Sequence, residues 1–150
     1  MRVGSGITVK VKRIDTGLEL PAYAYPGDAG LDLRSAEDVT LAPFERRLIP
    51  CGIAVAIPEG YAGFVMPRSG LAIRTGLSMA NTPGLVDSQY RGELKAVAVN
   101  LDAHEPIVIK RGDRIAQLVI LAHPVVELLE VDELDETERG SGGFGSSGSG

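Results

Sequence analysis

Fifteen residues, Asn81 to Lys95, gather an amide, a carboxylate, a phenol and an ammonium group around two turn signals, Pro83-Gly84 and Arg91-Gly92. Asp87 falls between the turns, on what should be one arm of a hairpin. A carboxylate there can take a proton from water as a general base. Asn81 offers both a donor and an acceptor, enough to read one edge of a base. Taken alone, an Asp and an Asn beside turns are more simply read as turn formers.

Pro67-Arg68-Ser69-Gly70-Leu71-Ala72 follows a strand and opens a short helix. Ser69 is expected to cap it by satisfying a free backbone N–H. A helix start presents unpaired N–H groups to an anion, and Arg68 adds a planar fork of donors. A capped helix with a surface arginine explains the same residues equally well. Tyr25-Pro26-Gly27-Asp28-Ala29-Gly30-Leu31-Asp32-Leu33 is an acidic turn entering a strand. Asp28 and Asp32 suit Mg²⁺, directly or through its waters, although Asx-turns account for them too. In Arg111-Gly112-Asp113-Arg114-Ile115-Ala116-Gln117-Leu118, Arg114 and Gln117 either face an anion or are solvated.

The elements that must hold these groups are strands. Residues 7–12 alternate as Ile-Thr-Val-Lys-Val-Lys, a half-buried strand pattern. Ile49, Cys51, Ile53, Val55 and Ile57 form one apolar face, with Pro50, Gly52, Ala54 and Ala56 on the other. Val39 to Leu41, Tyr61 to Met66, Leu94 to Leu101, Pro106 to Lys110 and Ile115 to Leu121 add strands, and only Ser69 to Gly76 reads as helical. Short strands separated by turns predict an all-β sandwich or barrel with one short helix.

The 150 residues suffice for one domain with a real core. Before residue 127, 13 acids face 14 bases, so no basic excess drives nucleic-acid binding. Seven acids lie within residues 127–138, and the net charge of −5 is that local segment. No apolar run approaches the length of a membrane span. The lone cysteine, Cys51, reads as a small core residue, and with no secretion signal at the N-terminus the expected compartment is the cytoplasm. His104 and His123 are isolated, which argues against zinc. Residues 1–138 read as the β domain with its acidic arm, and 139–150 as a Gly/Ser tail. That tail resembles a cloning linker except for Phe144, whose ring can stack on a base while Arg139, Ser146, Ser147 and bare glycine N–H groups suit phosphate.

In order and spacing, Gly27 to Leu33, Pro67 to Ala72, Asn81 to Lys95, Arg111 to Leu118 and Arg139 to Gly148 resemble the five motifs of the trimeric deoxyuridine triphosphatase (dUTPase) family. The resemblance covers nearly the whole chain. It implies a jelly-roll-like subunit and a homotrimer with active sites at subunit interfaces. The implied reaction is Mg²⁺-dependent hydrolysis of dUTP to dUMP and pyrophosphate, which keeps uracil out of DNA and supplies dUMP for thymidylate synthesis. Water attacks the α-phosphorus, and Asp87 matches the aspartate that activates it. The hairpin backbone, including Leu85 and Val86, holds uracil, with Asn81 at the base edge. Tyr90 matches the aromatic that packs under the deoxyribose. Arg68, Ser69, Gly70 and Gln117 match phosphate-binding positions, and Lys95 a more variable substrate contact. Asp28 matches the acid near the Mg²⁺ water shell. Arg139, Ser146 and Ser147 match a phosphate clamp in a flexible arm, with Phe144 over uracil.

Two rivals differ in class. A dCTP deaminase of the same fold is expected to carry a glutamate three residues before the strand-ending Asn100, where this chain has Val97, which cannot shuttle a proton. A catalytically dead trimer serving as a binding module is opposed by the intact Asp87 and tail.

Overall fold

A computed structural model describes residues 6–149. Ten strands and one helix follow in the order β1 (Lys10–Arg13), β2 (Gly30–Arg34), β3 (Val39–Leu41), β4 (Arg46–Ala56), β5 (Tyr61–Met66), α1 (Ser69–Thr75), β6 (Leu77–Met79), β7 (Gly84–Val86), β8 (Glu93–Asn100), β9 (Ile107–Ile109) and β10 (Arg114–Ala122). One sheet has the order β1-β4-β8-β6, the other β2-β10-β5-β7, and β3 pairs with β9. Every pairing is antiparallel. Of the two architectures the alternation allowed, the open sandwich forms, consistent with a jelly-roll-like fold.

The predicted apolar face of β4 survives an irregularity. Pro50 pairs with Lys95 and Ala54 with Glu93, so four steps along β4 match two along β8. An excess of two residues keeps the period-two alternation in phase. Ile49, Cys51, Ile53, Val55 and Ile57 therefore all stay in the core. Gly52 makes the bulge at φ 74°, and its carbonyl accepts the N–H groups of Ile14 and Asp15. A Cβ there would meet Leu18 Cδ1 at 2.9 Å. Burying a side chain such as Ile49 or Leu41 is worth about 1.5–3 kcal/mol. Cys51 is the expected core residue, and burial pushes its thiol up to about 12, so it stays protonated and unreactive.

Two local expectations fail. Ser69 does not cap α1: it is the first helical residue, Arg68 occupies the cap in extended geometry, and no side chain caps the helix. The chain stays extended through Arg68 and turns helical one residue earlier than a serine cap requires. Residues 7–12 do not form a half-buried strand either. β1 is Lys10–Arg13 and all four residues are exposed, because β1 is an edge strand. Val9 and Val11 line an apolar groove with Leu31, Val55 and Ile120, and Val11 remains 42% exposed.

No described residue beyond Ala122 lies in a strand or helix. His123 N–H donates to the Gly60 carbonyl at 2.9 Å, and from there the acidic arm runs exposed. It carries Val125, Leu128, Leu129 and Leu134, each more than 80% exposed. No helix among the described residues is long and apolar enough to cross a membrane.

Candidate active site

The arms around Asp87 do not pair with each other as a hairpin ladder would require. β7 pairs with β5, while β8 pairs with β4 and β6, so the two arms belong to different sheets. Their divergence opens a slot of about 310 Å³, lined by the sequence-predicted Asn81, Leu85, Val86, Tyr90 and Lys95, with Leu48 and Val65 behind them. That volume lies at the small end of ligand pockets, roughly 300–1,000 Å³, and suits a heterocycle. Because β7 ends its sheet, one row of its N–H and C=O groups has no strand partner and is available to a flat polar ligand.

Asp87 follows β7 directly and is exposed, but it is not among the residues that line the slot. Its carbonyl accepts the Tyr90 N–H at 3.1 Å, closing a turn. Among the described residues its carboxylate has no hydrogen-bond or ion-pair partner. The Tyr90 hydroxyl donates to the Glu93 carbonyl at 2.9 Å. Arg91 Nη1 donates to the carbonyls of Ser88 (2.6 Å) and Tyr90 (3.0 Å), holding the turn from its other side.

A second cleft, about 460 Å³, collects Asp28, Asp32, Arg68, Ser69, Gly70 and Gln117, with Tyr25 at its side. The start of α1 leaves the Ser69 and Gly70 N–H groups without intrahelical partners. Arg68 is already engaged: Asp32 Oδ1 lies 3.3 Å from its Nε, and its Nη1 donates to the Arg114 carbonyl at 3.1 Å. Asp32 Oδ2 also reaches Arg114 Nη1 at 3.3 Å, so one carboxylate bridges two arginines. Gln117 Nε2 donates to the Pro67 carbonyl at 2.9 Å. Gly30 makes room for it, since a Cβ there would collide with the Gln117 amide. Asp28 Oδ2 accepts the Tyr25 N–H at 2.9 Å and closes its own turn, the role composition alone assigns it. Arg114 and Asp32 thus form a bridge that sequence reading, which left Arg114 between anion contact and solvation, did not join. Their separation by 82 positions left no local signal.

The tail residues join neither cavity. Arg139 Nε donates to the Gly142 carbonyl, and Gly142 and Ser146 N–H groups close local turns. Arg139, Ser146 and Ser147 gather with Glu138 around a separate hollow, and Phe144 is fully exposed at φ 51°. No group of three or more His, Cys, Asp or Glu side chains among the described residues could enclose a metal ion.

The molecule is an antiparallel β-sandwich of the jelly-roll-like class, with a heterocycle-sized slot on one strand edge and a polar cleft that holds Arg68 at a helix start. The dUTPase family model matches residues 16–148, and the chain belongs to that family. It is 55% identical over 142 residues to the deoxyuridine 5'-triphosphate nucleotidohydrolase of Thermobifida fusca (strain YX), covering 95% of this chain and 79% of the relative. With that of Mycobacterium sp. (strain JLS) it is 57% identical over 146 residues, covering 94% and 95%. Among solved structures, the Staphylococcus bacteriophage 80alpha dUTPase with dUpNHpp superposes with a TM-score of 0.87 at 35% identity, covering 95% of this chain and 99% of that one. The dUTPase of phage phi11 of S. aureus, described with a structural Mg(II) ion, gives a TM-score of 0.80 at 30% identity, covering 87% and 100%.

Proposed function

We propose that this chain hydrolyses dUTP to dUMP and pyrophosphate at a site assembled from three copies, with Asp87 activating the attacking water. Family membership carries the reaction. The observation that carries the assembly is the division of the site residues of one chain into three groups: the slot, the cleft and the tail. The slot and the cleft share no lining residue. An arm with four apolar side chains over 80% exposed is further support, since such surface marks a protein contact.

In this reading uracil enters the slot, where the free edge of β7 at Leu85 and Val86 pairs with it and Asn81 reads its edge. Fixed partners of this kind reject cytosine strongly, because the wrong pattern leaves buried groups unpaired. Tyr90 lies under the deoxyribose, and Lys95, which also lines the slot, is a further substrate contact. Arg68, Ser69, Gly70 and Gln117 from a second copy receive the triphosphate. The tail of a third brings Arg139, Ser146 and Ser147 to the phosphates and Phe144 over the base, excluding bulk water. The exposed Asp87 carboxylate, free of protein partners, takes a proton from water as it attacks the α-phosphorus.

The cleft fits Mg²⁺. Its lining carries one arginine, Arg68, against two aspartates, Asp28 and Asp32, so it offers a polyanion no positive excess, and two separate carboxylates suit an ion that keeps its waters and binds substrate phosphates. When bound, Mg²⁺ neutralises and orients the triphosphate. Asp28 and Asp32 would hold it through its water shell. We place the enzyme in the cytoplasm, a reading that a single buried, protonated thiol supports.

The test is pyrophosphate release from dUTP with Mg²⁺ by wild type and by Asp87→Asn. Turnover by wild type and a loss of about a thousandfold or more in the variant are expected. An inactive wild type would leave only the binding-module reading. Ammonia release from dCTP is expected to be nil, and turnover there would restore the deaminase reading despite Val97.

A further inference from the structure

We propose that Gly92 is a specificity-determining position, whose missing side chain lets the Tyr90 ring lie where it screens the sugar. This rests on the reading of Tyr90 as the floor under the deoxyribose and extends it to residues outside the slot. Gly92 is not in the left-handed region, so its backbone conformation is open to alanine. What forbids a side chain is the phenol itself. A Cβ on Gly92 would lie 2.6 Å from Tyr90 Cζ and 3.0 Å from Cε2, and would collide with the hydroxyl oxygen. These contacts belong to one ring, and no backbone atom is among them.

One tie holds the ring itself, the Tyr90 hydroxyl donating to the Glu93 carbonyl at 2.9 Å, and two hold the turn that carries it, the Tyr90 N–H donating to the Asp87 carbonyl at 3.1 Å and Arg91 Nη1 to the Tyr90 carbonyl at 3.0 Å. The hydroxyl is thereby committed to the protein chain, and the ring face is left for the ligand. A 2′-hydroxyl is screened by the ring only while the ring keeps this seat, and a Cβ at position 92 would drive the ring from it. Gly92 leaves the seat free, and Arg91 holds the turn that places the ring in it. Both are positioning residues and touch the substrate only through Tyr90.

The test is the ratio of kcat/KM for dUTP to that for UTP in wild type, Tyr90→Ala, Gly92→Ala, Arg91→Ala and the Tyr90→Ala/Gly92→Ala double variant. Gly92→Ala is expected to lower the ratio about tenfold or more, and Arg91→Ala to lower it in the same direction. In the Tyr90→Ala background, Gly92→Ala is expected to change nothing further, which a merely structural role for Gly92 would not produce. A wild-type ratio in Gly92→Ala, or a further independent loss in the double variant, overturns the proposal. If Gly92→Ala does not fold, Arg91→Ala decides, and a wild-type ratio there overturns it. If Tyr90→Ala itself keeps the wild-type ratio, the sugar-floor reading fails first, an outcome distinct from failure of Gly92 alone.

Discussion

The slot proposed for the base and the cleft proposed for the phosphates sit on the same sandwich but are prepared for ligand in opposite ways. In the slot, one side chain, Tyr90, is tied to the main chain around it through its hydroxyl to Glu93, and its turn is closed by the Tyr90 N–H to Asp87 and by Arg91 to the Tyr90 carbonyl. No such tie has to break for a flat ring to enter. In the cleft, the groups that would receive a polyanion are spent on protein partners, with Arg68 and Arg114 sharing Asp32 and Gln117 holding Pro67. Binding there is an exchange of partners, and a lining with one arginine against two aspartates calls for an added cation when a polyanion enters. In the proposed reading the slot selects by shape and hydrogen-bond pattern, and the cleft releases its charge only when substrate and metal arrive.

The largest effect should come from removing the third element, which neither region contains. Truncation before Arg139 is expected to lower kcat/KM for dUTP about a hundredfold or more while the oligomer mass is unchanged. Steady-state kinetics with light scattering checks both, and unchanged turnover would make the tail a linker. Next comes salt. Raising ionic strength from low to about 0.5 M is expected to weaken pyrophosphate binding severalfold and to leave deoxyuridine binding nearly unchanged, read by calorimetry. Equal sensitivity would erase the distinction between the regions. Asp32→Asn frees both arginines, so without Mg²⁺ it is expected to tighten pyrophosphate binding a few-fold and leave deoxyuridine binding alone. Looser binding would mean that the bridge positions the arginines and does not restrain them. The smallest effect concerns stability. The Arg111 guanidinium and the Gly17 N–H hold the Asp15 carboxyl below its usual range, and the N–H groups of Glu105 and His104 do the same for Asp102. A depressed folded-state value stabilises above the unfolded value and is lost as pH falls through the folded one. Asp15→Asn and Asp102→Asn are therefore expected to flatten the decline in Tm below about pH 4 and to leave both ligand sites intact.

Alternation revealed the core strands, since period two requires only local reading. The β4 face from Ile49 to Ile57 was legible even across a bulge, because the two-residue excess preserved phase. Three features were not legible. The split of β7 and β8 between sheets depends on partners far along the chain, so a turn-rich segment reads as a hairpin. The Asp32 bridge joins positions 68 and 114 and has no sequence spacing to betray it. Phe44 adopts φ 63° while 65% exposed, where glycine is the usual residue, and nothing in the structure explains it. The site residues themselves were legible as five motifs, but motifs rank residues without saying which lie together. The fold groups them into slot, cleft and tail.

That grouping makes subunit mixing the most direct test of the composite site. Asp87→Asn and Arg68→Ala are each expected to be nearly inactive, one lacking the base and the other the phosphate arginine. Refolded together in equal amounts, they should distribute at random over the proposed trimer, and about a quarter of sites should draw both wild-type groups from different copies. Recovery of about a quarter of wild-type turnover is the predicted result. No recovery, with mixed oligomers demonstrated by mass, would mean that Asp87 and Arg68 serve the same site from one chain, and would contradict the account.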